Sequence, residues 1–124
     1  MKKVICSEKA PGAIGPYSQA IEANGMIFVS GQLPINAVTG TMAETIEEQS
    51  RQSLENVKHI LEEAGLSMKN IVKTTVFLAD MSLFAGMNGV YTTFFEGDFP
   101  ARSAVAVKGL PKDALVEIEC IAVR

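Results

Sequence analysis

The chain has 124 residues, 48% of them hydrophobic, with 11 basic against 14 acidic side chains and a net charge of −3. That is enough apolar material for the core of one domain, here residues 1–124, and its acidic balance opposes the basic face that nucleic-acid binding requires. No stretch approaches the ~18–20 continuous apolar residues of a membrane span.

The start, MKKVICSEKAPG, lacks the apolar run of a secretory signal. Cys6 and Cys120 lie far apart, outside any CxxC or Cys/His cluster, which suits two free thiols in a reducing cytoplasm. Three strands are expected before the first helix. In AIEANGMIFVSG, residues 20–31, Asn24-Gly25 separates two apolar runs, the signature of a two-residue hairpin, and the second run closes at Ser30-Gly31. A loop with Pro34 and the turn Thr39-Gly40 follows. From Glu44 to Ala64, Ile46, Leu54, Val57, Ile60, Leu61 and Ala64 recur at helical spacing, and Gly65 stands where a helix ends. The one histidine, His59, falls on the charged face of that helix and is expected in solvent. NIVKTTVFLAD, 70–80, is β-branched and aromatic, hence a strand. Asp80 or Ser82 can cap a second helix whose apolar stripe is Phe84, Met87, Val90, Tyr91, Phe94 and Phe95. Gly86 and Gly89 each weaken that helix by about 1 kcal/mol, so packing must hold it. Two last strands, 102–108 and 115–123, are joined by GLPKDA.

The order β-β-β-α-β-α-β-β predicts an α+β fold, a mixed sheet with two helices on one face. In the last strand Val116, Ile118, Cys120 and Ala122 make an apolar face for the helices, leaving Glu117 and Glu119 on the other. Pairing the last two strands with Val105 and Val107 toward the helices places Arg102, Ala104 and Ala106 on the face of Glu117 and Glu119. A face that mixes small apolar residues with charges suits an oligomer with polar pockets at its seams.

Three motifs carry candidate chemistry. Arg102 and Glu117 read either as a cross-strand ion pair, worth roughly 0.2–1 kcal/mol, or as a functional pair. In the latter the guanidinium fork holds a substrate carboxylate and the acid handles a proton or a water. IGPYSQA, 14–20, sets Tyr17 on a rigid bend, as a lid over the core or as a pocket wall. SGQLP, 30–34, offers a glycine where a ligand can approach the backbone. None is specific alone.

Taken together, IGPYSQA, SGQLP, QSRQSLENVKHILEEAG, IVKTTVFLADM, PARSAV and LPKDALVEIECIAV resemble, in order and spacing, the RidA/YjgF family of reactive intermediate deaminases, over essentially the whole chain. The resemblance implies a chorismate-mutase-like protomer in a barrel-like homotrimer with interfacial sites. It implies hydrolysis of 2-iminobutanoate and 2-iminopropanoate to 2-oxo acids and ammonia. By motif position Arg102 would anchor the substrate carboxylate and Glu117 would activate water, while Tyr17, Ser30, Gly31 and Asn88 would line the pocket. Where many members carry a cysteine after PARS, this chain has Ala104. No HExxH, P-loop or GxGxxG occurs, so no metal or other cofactor is expected. The other readings are a non-catalytic binder of small 2-oxo acids, a ribonuclease or translation inhibitor, and a chaperone-like or purely structural trimer. The charge balance and the lack of a basic aromatic patch oppose the nucleic-acid reading.

Overall fold

Three strands, β1 (Lys3–Ile5), β2 (Ala20–Ala23) and β3 (Met26–Gln32), precede helix α1 (Ile46–Glu63) in the computed structural model, which describes all 124 residues. They are followed by β4 (Ile71–Leu78), α2 (Phe84–Thr92), β5 (Ala101–Ala106) and β6 (Val116–Val123). The element order is the expected one. Asn24 and Gly25 take φ of 52° and 73°, as the tight turn between β2 and β3 demands. Thr45 caps α1 by accepting from Glu48 N, and Gly65, at φ 77°, ends it. Asp80 accepts from Ser82 N, but it caps a short 3₁₀ turn, Met81–Leu83, that leads into α2. Because α2 stops at Thr92, Phe94 and Phe95 fall beyond it; Phe95 still packs on Tyr91, ring centroids 4.8 Å apart.

All six strands form one sheet in the order β1-β2-β3-β6-β4-β5. Leu54, Val57, Ile60 and Leu61 of α1 bury against Ile27, Val76, Leu78, Val116 and Ile118 of the sheet. Each such side chain contributes about 1.5–3 kcal/mol by leaving water. Val116, Ile118, Cys120 and Ala122 are all buried, as their alternation predicts. No helix is long and apolar enough to cross a membrane.

The strand order corrects one expectation. β5 and β6 do not pair, because β4 lies between them, parallel to β5 and antiparallel to β6. A chain that leaves β4 and returns through a helix comes back parallel beside it, so β5 takes the sheet edge. Register then reverses the predicted faces of β5. Arg102, Ala104 and Ala106 align with Thr74, Val76 and Leu78 on the helix-covered face, whereas Val105 aligns with Phe77 on the open face and is 45% exposed. Hydrophobicity alone misassigned Val105, because the open face is itself partly apolar. It carries Phe28, Phe77, Ile121 and Val123 beside Glu117 and Glu119.

Candidate functional site

The helix-side cluster begins with Arg102, half-buried on the edge strand. Its guanidinium carbon lies 5.3 Å from the centroid of Phe84 and 4.8 Å from that of Tyr91, and Nη1 donates to Asn88 Oδ1 at 2.7 Å. Positions 84, 88 and 91 fall on one face of α2, so a single helical stripe grips the cation from three sides. Tyr91 is itself fixed by a 2.7 Å hydrogen bond between its hydroxyl and Thr74 Oγ1. Burial raises the Tyr91 pKa, against the opposing pull of Thr74 and Arg102. Asn88 takes one guanidinium N–H, and the rest of the fork makes no hydrogen bond within the chain. Such a fork, oriented before any ligand arrives, suits a carboxylate.

Glu117 anchors a second cluster on the open face. Burial raises its pKa above the ordinary carboxylate value, and the neighbouring Glu119 charge adds to the rise. Beside it β3 does not end at Ser30-Gly31 but bulges between Val29 and Gln32. The bulge brings Gly31 so close that a Cβ there would lie 2.7 Å from Glu117 Oε2. A cavity of about 780 Å³ opens here, lined among others by Tyr17, Ser30, Gly31, Lys112 and Glu117. Tyr17 lies two residues after Gly15, which takes φ 117°, and is 53% exposed, so it walls the cavity and does not cover the core. Ser30 Oγ donates to Ser18 O at 2.6 Å, which ties the bulge to the IGPYSQA segment.

Four of the predicted residues, Tyr17, Ser30, Gly31 and Glu117, thus meet at one cavity, while Arg102 and Asn88 meet elsewhere. Through β4, Arg102 is in register with Thr74 and hence with Cys120, two strand spacings away and three residues along β6 from Glu117. That is about 10 Å across and about 10 Å along, on opposite faces of the sheet. The cross-strand ion pair therefore does not exist within the chain, and Arg102 does not lower the pKa of Glu117.

In the sequence Phe84 and Tyr91 belong only to the apolar stripe of the second helix; their spacing around Asn88 is the available signal. Lys112 reads there as part of the connection GLPKDA. Lys112 lines the cavity and, with Asp113, holds a positive φ, 57° and 56°, a conformation costly for side-chain-bearing residues and found disproportionately at functional sites. His59 is not free in solvent, since Nδ1 lies 3.1 Å from Lys9 O and the ring is partly covered. Ala104 is half-buried on the same face as Arg102. No three His, Cys, Asp or Glu side chains are grouped so as to hold a metal ion.

The profile of the family described as Endoribonuclease L-PSP matches residues 7–124. A Salmonella typhimurium protein named 2-iminobutanoate/2-iminopropanoate deaminase is 53% identical, covering 100% of this chain and 99% of the relative. Its Escherichia coli namesake is 52% identical at the same coverage. This chain belongs to the RidA/YjgF family. Among solved structures, the E. coli YjgF gene product matches at a TM-score of 0.96 and 52% identity, covering 98% of both chains. E. coli TdcF, solved with bound serine, matches at 0.96 and 49%, again over 98% of each. The α+β architecture is thus that of the RidA/YjgF proteins.

Proposed function

We propose that this protein is a cytoplasmic imine deaminase, one domain per protomer, acting as a homotrimer whose sites lie between copies. It hydrolyses 2-iminobutanoate and 2-iminopropanoate to the corresponding 2-oxo acids and ammonia. The observation that carries this reading is the separation of two complementary halves. A prearranged carboxylate anchor sits at the sheet edge and a raised-pKa acid lines a cavity on the other face. Neither half is a complete site for a small imino acid, but the edge of one copy set against the cavity of another joins them. The partly apolar open face supports such assembly.

In the joined site Arg102 binds the substrate carboxylate through its unused N–H groups and brings C2 of the imine to the cavity. Glu117 takes a proton from water as the oxygen bonds to C2, giving a carbinolamine. Return of a proton to nitrogen lets ammonia leave as the C2–O double bond forms. Water is consumed and no electrons change hands. A carboxyl whose pKa burial lifts above the ordinary carboxylate value holds a returned proton more readily than an exposed one, which suits accepting and returning it. A protonated imine is electrophilic already, so no nucleophilic side chain is required.

The test is hydrolysis of 2-iminobutanoate, generated by a threonine dehydratase and measured over its spontaneous decay. Wild type accelerates the decay; Arg102→Ala and Glu117→Gln do not, although both remain folded oligomers. Mixing the two inactive variants under subunit exchange then restores activity. In a random 1:1 mixture about a quarter of interfaces pair an intact Arg102 with an intact Glu117. No recovery on mixing would sink the shared site. The relative solved with bound serine supports a second reading, binding without turnover, and a wild type that binds 2-oxobutanoate but leaves imine decay unchanged would establish it.

A further inference from the structure

The cavity beside Glu117 is walled largely by irregular segments, which have no ladder of backbone hydrogen bonds to hold them. Three side-chain amides, each almost fully buried, reach into those walls. Gln19, 2% exposed, accepts from Ser7 N at 2.7 Å and donates to Ser7 O, Ala10 O and Pro11 O at 3.1, 3.4 and 2.9 Å. Asn56, fully buried on α1, donates to Leu33 O and Ile35 O, both at 3.0 Å, and accepts from Gln52 Nε2 at 2.8 Å. Gln49, 5% exposed, donates to Ala43 O at 2.7 Å and accepts from Leu115 N at 2.8 Å, just past the turn that carries Lys112. Pro11, Leu33, Ile35 and Lys112, in or beside the segments so held, line the cavity.

We infer that Gln19, Asn56 and Gln49 are positioning residues that set the shape of this cavity before ligand arrives, an inference resting on the cavity being the working pocket. The choice of amides has a chemical reason. A carboxamide satisfies both orphan N–H and C=O groups of a loop without introducing charge. The cavity is therefore left with Glu117 and Lys112 as its only charged lining groups, and the proton-handling acid meets no competing anion from the walls. Apolar side chains could not replace the amides, since carbonyls such as Pro11 O, Leu33 O and Ile35 O would lose the amide donor that each one binds.

Asn56→Asp tests this with almost no change in size: it turns a double donor into a carboxylate facing two carbonyls. Losing a buried hydrogen bond in this way shifts local opening by about ten- to a hundred-fold. Amide hydrogen exchange in residues 33–43 should quicken by that factor while amides of β4 and β6 keep their rates. Because ligand still selects the ordered wall, KM for the imine should rise by about tenfold or more with kcat within about twofold. Should Asn56→Asp not fold, Gln19→Glu gives the same pattern in residues 7–12. Unchanged exchange in the targeted wall, or exchange rising equally in β4 and β6, overturns the inference. So does a fall in kcat at constant KM. If wild type turns over no imine, the deaminase reading fails, whereas the exchange pattern still decides whether the amides hold the walls.

Discussion

Gly31→Ala separates the chemistry of the cavity from its stability. Gly31 has no positive φ, so its backbone accepts alanine without strain. The added Cβ, however, would lie 2.7 Å from Glu117 Oε2, 2.8 Å from Cδ and 3.0 Å from Cγ. Ordinary carbon contacts begin near 3.5 Å, so the carboxyl group must retreat by about 0.5–0.8 Å. It can do so, because the atoms struck belong to the end of a flexible side chain. The displaced rotamer costs about 0.5–1.5 kcal/mol, and replacing glycine stiffens the unfolded chain by about 0.4–1 kcal/mol in the other direction. Net stability then moves by less than about 1 kcal/mol, a few degrees in Tm at this size. Activity is far more sensitive, since a displacement near 1 Å can cost about a hundredfold. The expected outcome is a kcat/KM for 2-iminobutanoate lower by about 10–100-fold, with Tm and oligomeric mass near wild type. A fully active, fully folded Gly31→Ala protein would refute the idea that the position of the Glu117 carboxyl governs turnover.

Arg102→Lys keeps the charge but loses the planar fork, and kcat/KM should fall by about 10–100-fold, the worth of one charged hydrogen bond; wild-type kinetics would show that point charge suffices. Glu117 titrates above its ordinary value, so its share of stability is fully present below the unfolded-state pKa and is lost as pH rises through the folded one. Glu117→Gln should therefore melt with wild type near pH 4 and above it at pH 8; the opposite slope would show that Arg102 of a neighbouring copy outweighs burial at the carboxyl in the assembled site. Burial pushes the Cys120 thiol up to about 12, whereas Cys6 is exposed. A thiol reagent at pH 8 should label Cys6 alone until denaturant is added, and rapid native labelling of Cys120 would contradict its burial.

Much of this protein is legible in the chain alone because the signals are local. Asn24-Gly25 makes its turn by its own conformational preference, and Ile60 and Leu61 announce α1 by their spacing. Val116 through Ala122 declares its buried face by simple alternation, and the family motifs pick out Arg102 and Glu117. What stayed hidden depends on partners distant in sequence. Which strand lies beside β5 is decided by the crossover through α2, and only that register places Arg102 under Phe84 and Tyr91 and away from Glu117. The bulge that presses Gly31 against Glu117, and the amides of Gln19, Asn56 and Gln49 that reach across as many as 66 residues, exist only once the strands and α1 are in place. Sequence spacing specifies which way a side chain points on its own element; which neighbour it meets is settled by how the elements pack.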